Sequence, residues 1–243
     1  MFLSLNELRF ALTHPHIALS YLRRVDKISS LIGCSTSEVK RVLKEKDLME
    51  ISEHVTYKIG VYKTLILGPS SRPRKAEILY AIVRLTKPYL VVETGVQCGI
   101  SSAFILKALE KNGGEGMLYS IDLPDENILK TIPPDNRGYQ ESGWLVPREL
   151  RYKWKLILGR SQEKLVPLLE QLGEIDIFIH DSEHSYENIM WEYTIAWTYL
   201  KPGGILLSDD VNLNNAFYDF AKKEKMRPII ILHSVGGLRR YIC

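Results

Sequence analysis

Leu90-Val91-Val92-Glu93-Thr94-Gly95-Val96-Gln97-Cys98-Gly99-Ile100-Ser101-Ser102 reads as a short buried strand, a glycine loop and the first turn of a helix. Glycines in such a loop let the backbone approach a ligand with no Cβ in the way. The helix start adds unpaired N–H groups and the positive end of a dipole, a seat suited to a ligand carboxylate. The spacing is E-x-G-x-x-x-G, whereas dinucleotide binders carry G-x-G-x-x-G. A nucleotide-binding oxidoreductase is therefore disfavoured, and Glu93, Gly95, Gln97, Gly99 and Ser101 become the first candidate cofactor residues.

Outward from this loop, short apolar runs alternate with amphipathic helices, as in a parallel sheet covered on both faces. Leu90 to Val92 is the first strand, Leu118 to Ile121 the second, Lys155 to Leu158 the third, Ile175 to Ile179 the fourth and Ile205 to Leu207 the fifth. The spacing predicts intervening helices over Ser101 to Leu109, Glu163 to Leu172 and Tyr186 to Leu200. Pro228 to Leu232 and Leu238 to Ile242 are expected to close the sheet as a hairpin linked through Gly236-Gly237, with the last strand antiparallel. The fold class expected is a doubly wound, mostly parallel, seven-stranded Rossmann-like α/β sheet preceded by an N-terminal helical segment.

That segment is placed at residues 1–60 and the sheet domain at 61–243. Ser35 or Thr36 is a candidate N-cap before the stripe Val39, Val42 and Leu43. Phe2, Leu3, Leu5, Leu8 and Phe10 are read as packing inward, with a peripheral membrane contact as the alternative, and Gly68 to Pro73 as a turn. Residues 123–152, broken by several prolines and glycines, are too irregular for an ordinary connection and suggest a functional loop.

Composition narrows the function classes. A net charge of +3 spread over 243 residues, with basic residues scattered, does not point to nucleic acid. Asn6, Glu7, Arg9 and His14 interrupt the N-terminus, so membrane insertion is not expected. Cys34, Cys98 and Cys243 have no paired spacing, which suits a reducing, cytoplasmic compartment, and Cys98 reads as a small buried residue. The aromatic residues Trp191, Tyr193, Trp197 and Tyr199 are assigned to core packing or a subunit interface, and homo-oligomerisation stays open.

Asp122, at the end of the second strand, is placed to accept both ribose hydroxyls of an adenosine-type ligand. Ser161 and Gln162, after the third strand, are placed at the adenine, although Ser161 can equally cap the next helix. Asp181 follows the fourth strand and Asp209-Asp210 the fifth, and these strand ends are neighbours in a doubly wound sheet. Three converging carboxylates raise one another's pKa unless a cation neutralises them; Mg²⁺ is the first expectation. His180 and His184 admit Mn²⁺, Fe²⁺ or Zn²⁺ as well, and capping of the following helices is the competing role for the acids.

With Glu93-Thr94-Gly95 and Gly99, Ser161-Gln162, Asp181 and Asp209-Asp210 in place, the chain over roughly residues 60 to 243 resembles class I S-adenosylmethionine (SAM)-dependent methyltransferases, most of all the metal-dependent catechol-type and macrocin-type O-methyltransferases. The resemblance implies SAM as cofactor, a divalent metal on Asp181, Asp209 and Asp210, and methyl transfer to an oxygen of a small hydroxylated molecule. It departs at two positions: His184 stands where the catechol-type pattern has lysine, and Asp209-Asp210 where it has Asp-Asn. The catechol substrate is not carried over. His184 becomes the candidate general base, with Asp181 beside it, because a neutral imidazole can accept a hydroxyl proton near pH 7. A non-catalytic SAM-binding scaffold is the alternative.

Overall fold

The computed structural model describes residues 13, 15–62, 74–123 and 141–241. Among the described residues four helices precede the sheet: α1 (Pro15–Ile32), α2 (Thr36–Val42), α3 (Lys46–Tyr62) and α4 (Arg74–Thr86). The sheet region then runs β1 (Leu90–Thr94), α5 (Ile100–Asn112), β2 (Met117–Asp122), a 3₁₀ turn (Arg148–Lys153), β3 (Trp154–Leu158), α6 (Ser161–Leu172), β4 (Ile175–His180), α7 (Tyr186–Tyr199), β5 (Leu200–Ser208), α8 (Ala216–Lys223), β6 (Ile229–Ile230) and β7 (Gly236–Arg239). The expected Phe2–Phe10 stripe and the Gly68–Pro73 turn lie outside the described residues.

The seven strands lie in the order β3-β2-β1-β4-β5-β7-β6. Pairs among the first five are parallel, whereas β7 runs antiparallel to both β5 and β6. All five residues of β1 are buried, so both faces need cover. Val91 belongs to the core shared with α4, α5 and the N-terminal helices, while Val92 belongs to the core shared with α6, α7 and α8. Adjacent residues of one strand thus anchor opposite layers, as a period of two demands. Truncating a fully buried anchor such as Phe104 to alanine costs about 3–5 kcal/mol. Strand order reverses between β1 and β4, which opens a crevice beyond their carboxyl ends.

The N-terminal helices share the first of these cores, to which Ile28, Leu31, Val39 and Val55 contribute. Ser35 caps α2 in a full capping box with Glu38, so the local signal at that helix start is sound. The helix α3 runs to Tyr62, across the expected boundary at residue 60.

The terminal hairpin differs from expectation. Gly236-Gly237 do not form the link; they lie inside β7, opposite Ser208 and Leu207 of β5. A Cβ on Gly236 would stand 2.6 Å from the Phe217 ring, and one on Gly237 would stand 2.7 Å from Leu31 Cδ2. Close packing of α8 and α1 on the two faces of the strand requires these glycines, so a pair that resembles turn punctuation is a packing device.

Candidate functional site

A cleft of about 800 Å³ opens at the carboxyl ends of β1, β2, β4 and β5. One wall is the loop after β1, where Gly95 at φ +85° and Gln97 at φ +50° turn the backbone through the left-handed region. A Cβ on Gly95 would sit 1.9 Å from the Asp181 carbonyl oxygen, so glycine is what lets the β1 and β4 loops touch. Asp122, only 7% exposed, braces the same wall. Its Oδ1 accepts from the amides of Val96 (2.8 Å) and Gln97 (3.3 Å), and its Oδ2 accepts from the Ser142 hydroxyl. Two loops far apart in sequence therefore meet on one carboxylate, and Ser142 belongs to the irregular 123–152 stretch; its residues 124–140 lie outside the described residues.

Glu93 lies beneath this wall, wholly buried, and accepts from the hydroxyls of Ser102 (2.6 Å) and Ser120 (2.9 Å). Burial pushes its carboxyl up, against the lowering effect of the serine hydrogen bonds. The opposite wall holds Asp181, His184, Asp209 and Lys75. Lys75, from the first turn of α4, places Nζ 2.7 and 2.8 Å from the two oxygens of Asp209 and 3.3 Å from Asp210 Oδ1. Burial works against this ammonium, but Asp209 foremost, then Asp210 and Asp181, hold it above the usual lysine range. Asp181 keeps 39% of its side-chain surface open. Even so, desolvation first, then Asp209, Glu93 and Asp210, push it well above the ordinary aspartate value.

His184 Nε2 stands 3.8 Å from Asp181 Oδ1 and 3.7 Å from Asp210 Oδ2. Desolvation and the neighbouring His180 lower its pKa, outweighing Asp210 and Asp209, so the imidazole is held neutral. Its Nδ1 is buried with no hydrogen-bond partner. Below it lies a buried polar cluster on Glu192 of α7. Glu192 Oε2 accepts from the Thr94 hydroxyl at 2.6 Å and lies 2.7 Å from His180 Nδ1; Oε1 accepts from Ser182 (2.7 Å) and Asn188 (3.2 Å). The His180 ring meets the His184 ring edge-on, 5.6 Å between centroids.

Residues 92–211 match the family model described as a methyltransferase domain. Over this stretch the chain carries a methyltransferase domain. The methyltransferase also resembles solved structures at a level that speaks to the fold. One is an O-methyltransferase from Bacillus cereus in complex with S-adenosylhomocysteine (SAH), 14% identical over 81% of this chain and 92% of that one, TM-score 0.53. A second is the O-methyltransferase TomG from Streptomyces achromogenes, involved in tomaymycin synthesis and bound to SAM: 16% identical, 82% and 91% covered, TM-score 0.53. A third is the SAH-bound methyltransferase PaMTH1 from Podospora anserina: 16% identical, 82% and 89% covered, TM-score 0.55. A search of the curated proteins gave no match.

Of the residues singled out in the sequence, Gly95, Gln97, Ser101, Asp122, Ser161, Gln162, Asp181, His184 and Asp209 all line the methyltransferase's cleft. Three stand back from it. Glu93 is an internal brace, and Asp210 is not among the lining residues although it reaches Lys75 and His184. Gly99 is required by the Ser142 loop: its Cβ would lie 2.7 Å from Gly143 Cα, where a ligand path was expected. Cys98 is buried as expected, and burial pushes its thiol up to about 11. Tyr193 and Trp197 are core residues.

The acids expected to hold a metal do not fit one as arranged. Lys75 occupies the converging oxygens of Asp209 and Asp210, and among the described residues no group of three or more His, Cys, Asp or Glu side chains is arranged to hold an ion. Lys75 carries no sequence signal, since it opens an ordinary amphipathic helix outside the loop motifs. Glu192 does carry one: it is an acid on the apolar face shared with Ile189, Tyr193 and Ala196. No helix among the described residues is long and apolar enough to cross a membrane.

Proposed function

We propose that the cleft binds SAM along the β1 and β2 loops and directs its methyl group to a hydroxyl oxygen of a small acceptor on the β4 and β5 side. The observation that carries this reading is one cleft with two unlike walls: Asp122 and the glycine loop on one, His184, Asp209 and Lys75 on the other. The residues fit SAM. Asp122 is recessed, with Oδ1 held by loop amides and Oδ2 by the Ser142 hydroxyl, and the remaining lone pair of Oδ2 supplies a ribose acceptor. Ser161 and Gln162 border the adenine, and the amino end of α5 faces a carboxylate.

When bound, SAM supplies an electrophilic methyl carbon on a sulfonium. His184 takes the acceptor's hydroxyl proton as the oxygen–methyl bond forms and the sulfur–methyl bond breaks, its electron pair returning to sulfur. A neutral imidazole in a desolvated wall suits that transfer. Asp181 lies on the same wall, 3.8 Å from His184 Nε2, where its charge favours the imidazolium that forms as the proton arrives. Oxygen as the methyl acceptor is supported by the names of two of the similar structures. The divalent cation expected from the sequence forms no step here, because Lys75 already occupies those carboxylates. A small-molecule acceptor and a cytoplasmic location belong to the same reading, supported by scattered basic residues and by Cys34 and Cys98 being free thiols.

Calorimetric titration with SAM, SAH and NAD tests the cofactor, and SAH release across a library of hydroxylated compounds tests the transfer. Asp122→Ala is expected to weaken SAM binding by about 1.5–3 kcal/mol, the worth of charge-assisted hydrogen bonds. Binding of NAD without SAM would sink the reading.

A further inference from the structure

We propose that Lys75 is a built-in cation for this cleft, a positioning residue whose ammonium takes the seat between Asp209 and Asp210 and leaves a divalent metal no place there. The inference rests on the reading of the cleft as the site of methyl transfer.

Three observations meet at this point. The first is hydrogen-bond capacity. An ammonium has three donors, and Lys75 lies within reach of three carboxylate oxygens, at 2.7 and 2.8 Å to Asp209 and 3.3 Å to Asp210. Asp209 Oδ1 also accepts from the Asp210 amide at 2.8 Å and from the Ser234 hydroxyl at 3.4 Å, so its lone pairs are spoken for. Mg²⁺ needs oxygens at about 2.0–2.1 Å in near-octahedral array and holds the remaining positions with water. Oxygens already gathered around a cation at hydrogen-bond distance cannot also serve that array without expelling the ammonium.

The second is anchoring. Ala76, Ile78, Leu79 and Tyr80, which follow Lys75 on α4, are buried in the first core, so the lysine backbone is fixed while its stem spans to β5. Asp210 is fixed from its own side, with a φ of +51° that non-glycine residues seldom adopt. The third is charge. Asp209 and Asp210 both lie within hydrogen-bond reach of the Lys75 ammonium, which offsets their carboxylates.

Mn²⁺ titration of the full chain, read by calorimetry and by the loss of the free-ion electron paramagnetic signal, decides the matter without knowledge of the acceptor. The parent protein is expected to show no saturable site, and Lys75→Met to gain Mn²⁺ binding at least about tenfold tighter, a difference of about 1.4 kcal/mol. Lys75→Met/Asp209→Asn should lose that gain. Lys75→Arg, which keeps the charge, should behave as the parent. Saturable Mn²⁺ binding by the parent that Asp209→Asn removes would overturn the proposal, and so would a Lys75→Met protein that binds no better than the parent. Should Lys75→Met fail to fold, the parent and Asp209→Asn titrations still decide. SAM titrated into the same samples separates the two ideas: a parent that binds neither SAM nor SAH refutes the reading of the cleft, whatever Mn²⁺ does.

Discussion

Glu192 Oε2 lies 2.7 Å from Nδ1 of His180, and both side chains are wholly buried between β4 and α7. The same carboxylate takes the Thr94, Ser182 and Asn188 side chains, so one acid from a helix ties the ends of β1 and β4 together directly under the cleft. Burial opposes its ionisation, but hydrogen bonds and charge from His180, with help from Ser161 and Thr94, hold its carboxyl below the usual range.

Glu192→Ala should therefore cost about 3–5 kcal/mol in urea denaturation at pH 7, the price of leaving buried partners without their acceptor. Glu192→Gln, which retains an acceptor, should cost less. Because the folded pKa is depressed, this stabilisation is present above the unfolded carboxylate pKa of about 4.3 and fades as pH falls through the folded value. An unchanged midpoint in Glu192→Ala would show that the cluster holds nothing together.

Gly95 and Gly113 both adopt positive φ, at +85° and +67°, yet they predict different outcomes. A Cβ on Gly113 meets nothing within 4 Å, but φ +67° with ψ −175° is a region essentially reserved for glycine, so Gly113→Ala should cost backbone strain alone, about 1–3 kcal/mol, with SAM affinity unchanged. Gly95→Ala drives a carbon into the Asp181 carbonyl and must move either the β1 or the β4 loop. It should lose more stability than Gly113→Ala and abolish SAM binding by calorimetry; equal behaviour of the two variants would contradict the contact.

Asp181 carries a raised pKa because desolvation and three neighbouring carboxylates disfavour its charge. A group raised on folding stabilises fully below its unfolded pKa, about 3.9, and that contribution is lost as pH rises through the folded value. At pH 7, above the unfolded value, Asp181 is thus a burden on the fold. Asp181→Asn should raise the thermal midpoint at pH 7, with the gain shrinking toward pH 4 in calorimetric scans; destabilisation at pH 7 would mean that its charge is compensated.

His184→Gln should leave the fold and SAM affinity intact while slowing turnover by about 10²- to 10⁴-fold, the usual worth of a positioned base. Its lowered pKa keeps the imidazole neutral below the ordinary value of about 6.5, so the parent's rate should begin to fall only in more acidic solution. The variant's pH–rate profile should lack that acidic limb. An unaltered rate and profile would return His184 to a structural role.

Local chemistry made much of this protein legible. The β1 strand, the glycine loop and the start of α5 follow from a few adjacent residues, as does the Ser35 cap, because strand period, turn conformation and capping act over one or two turns of chain. Asp122 and Asp181 were readable for a related reason: strand ends in a parallel sheet point to one edge, so a residue's place in the alternation gives its place in the cleft. Glu192 left a trace as an acid on an apolar helical face, although its partners did not.

The sequence by itself determined the sheet, the loop that opens the cleft and the acids at its rim, since each is encoded by neighbours along the chain. Tertiary structure alone decided what those groups touch. Gly236 and Gly237 serve packing against Phe217 and Leu31, Gly99 makes room for Gly143, and Lys75 meets Asp209 across 134 residues. Those choices depend on which helix faces fold over which strands, and no local pattern carries the distance between them.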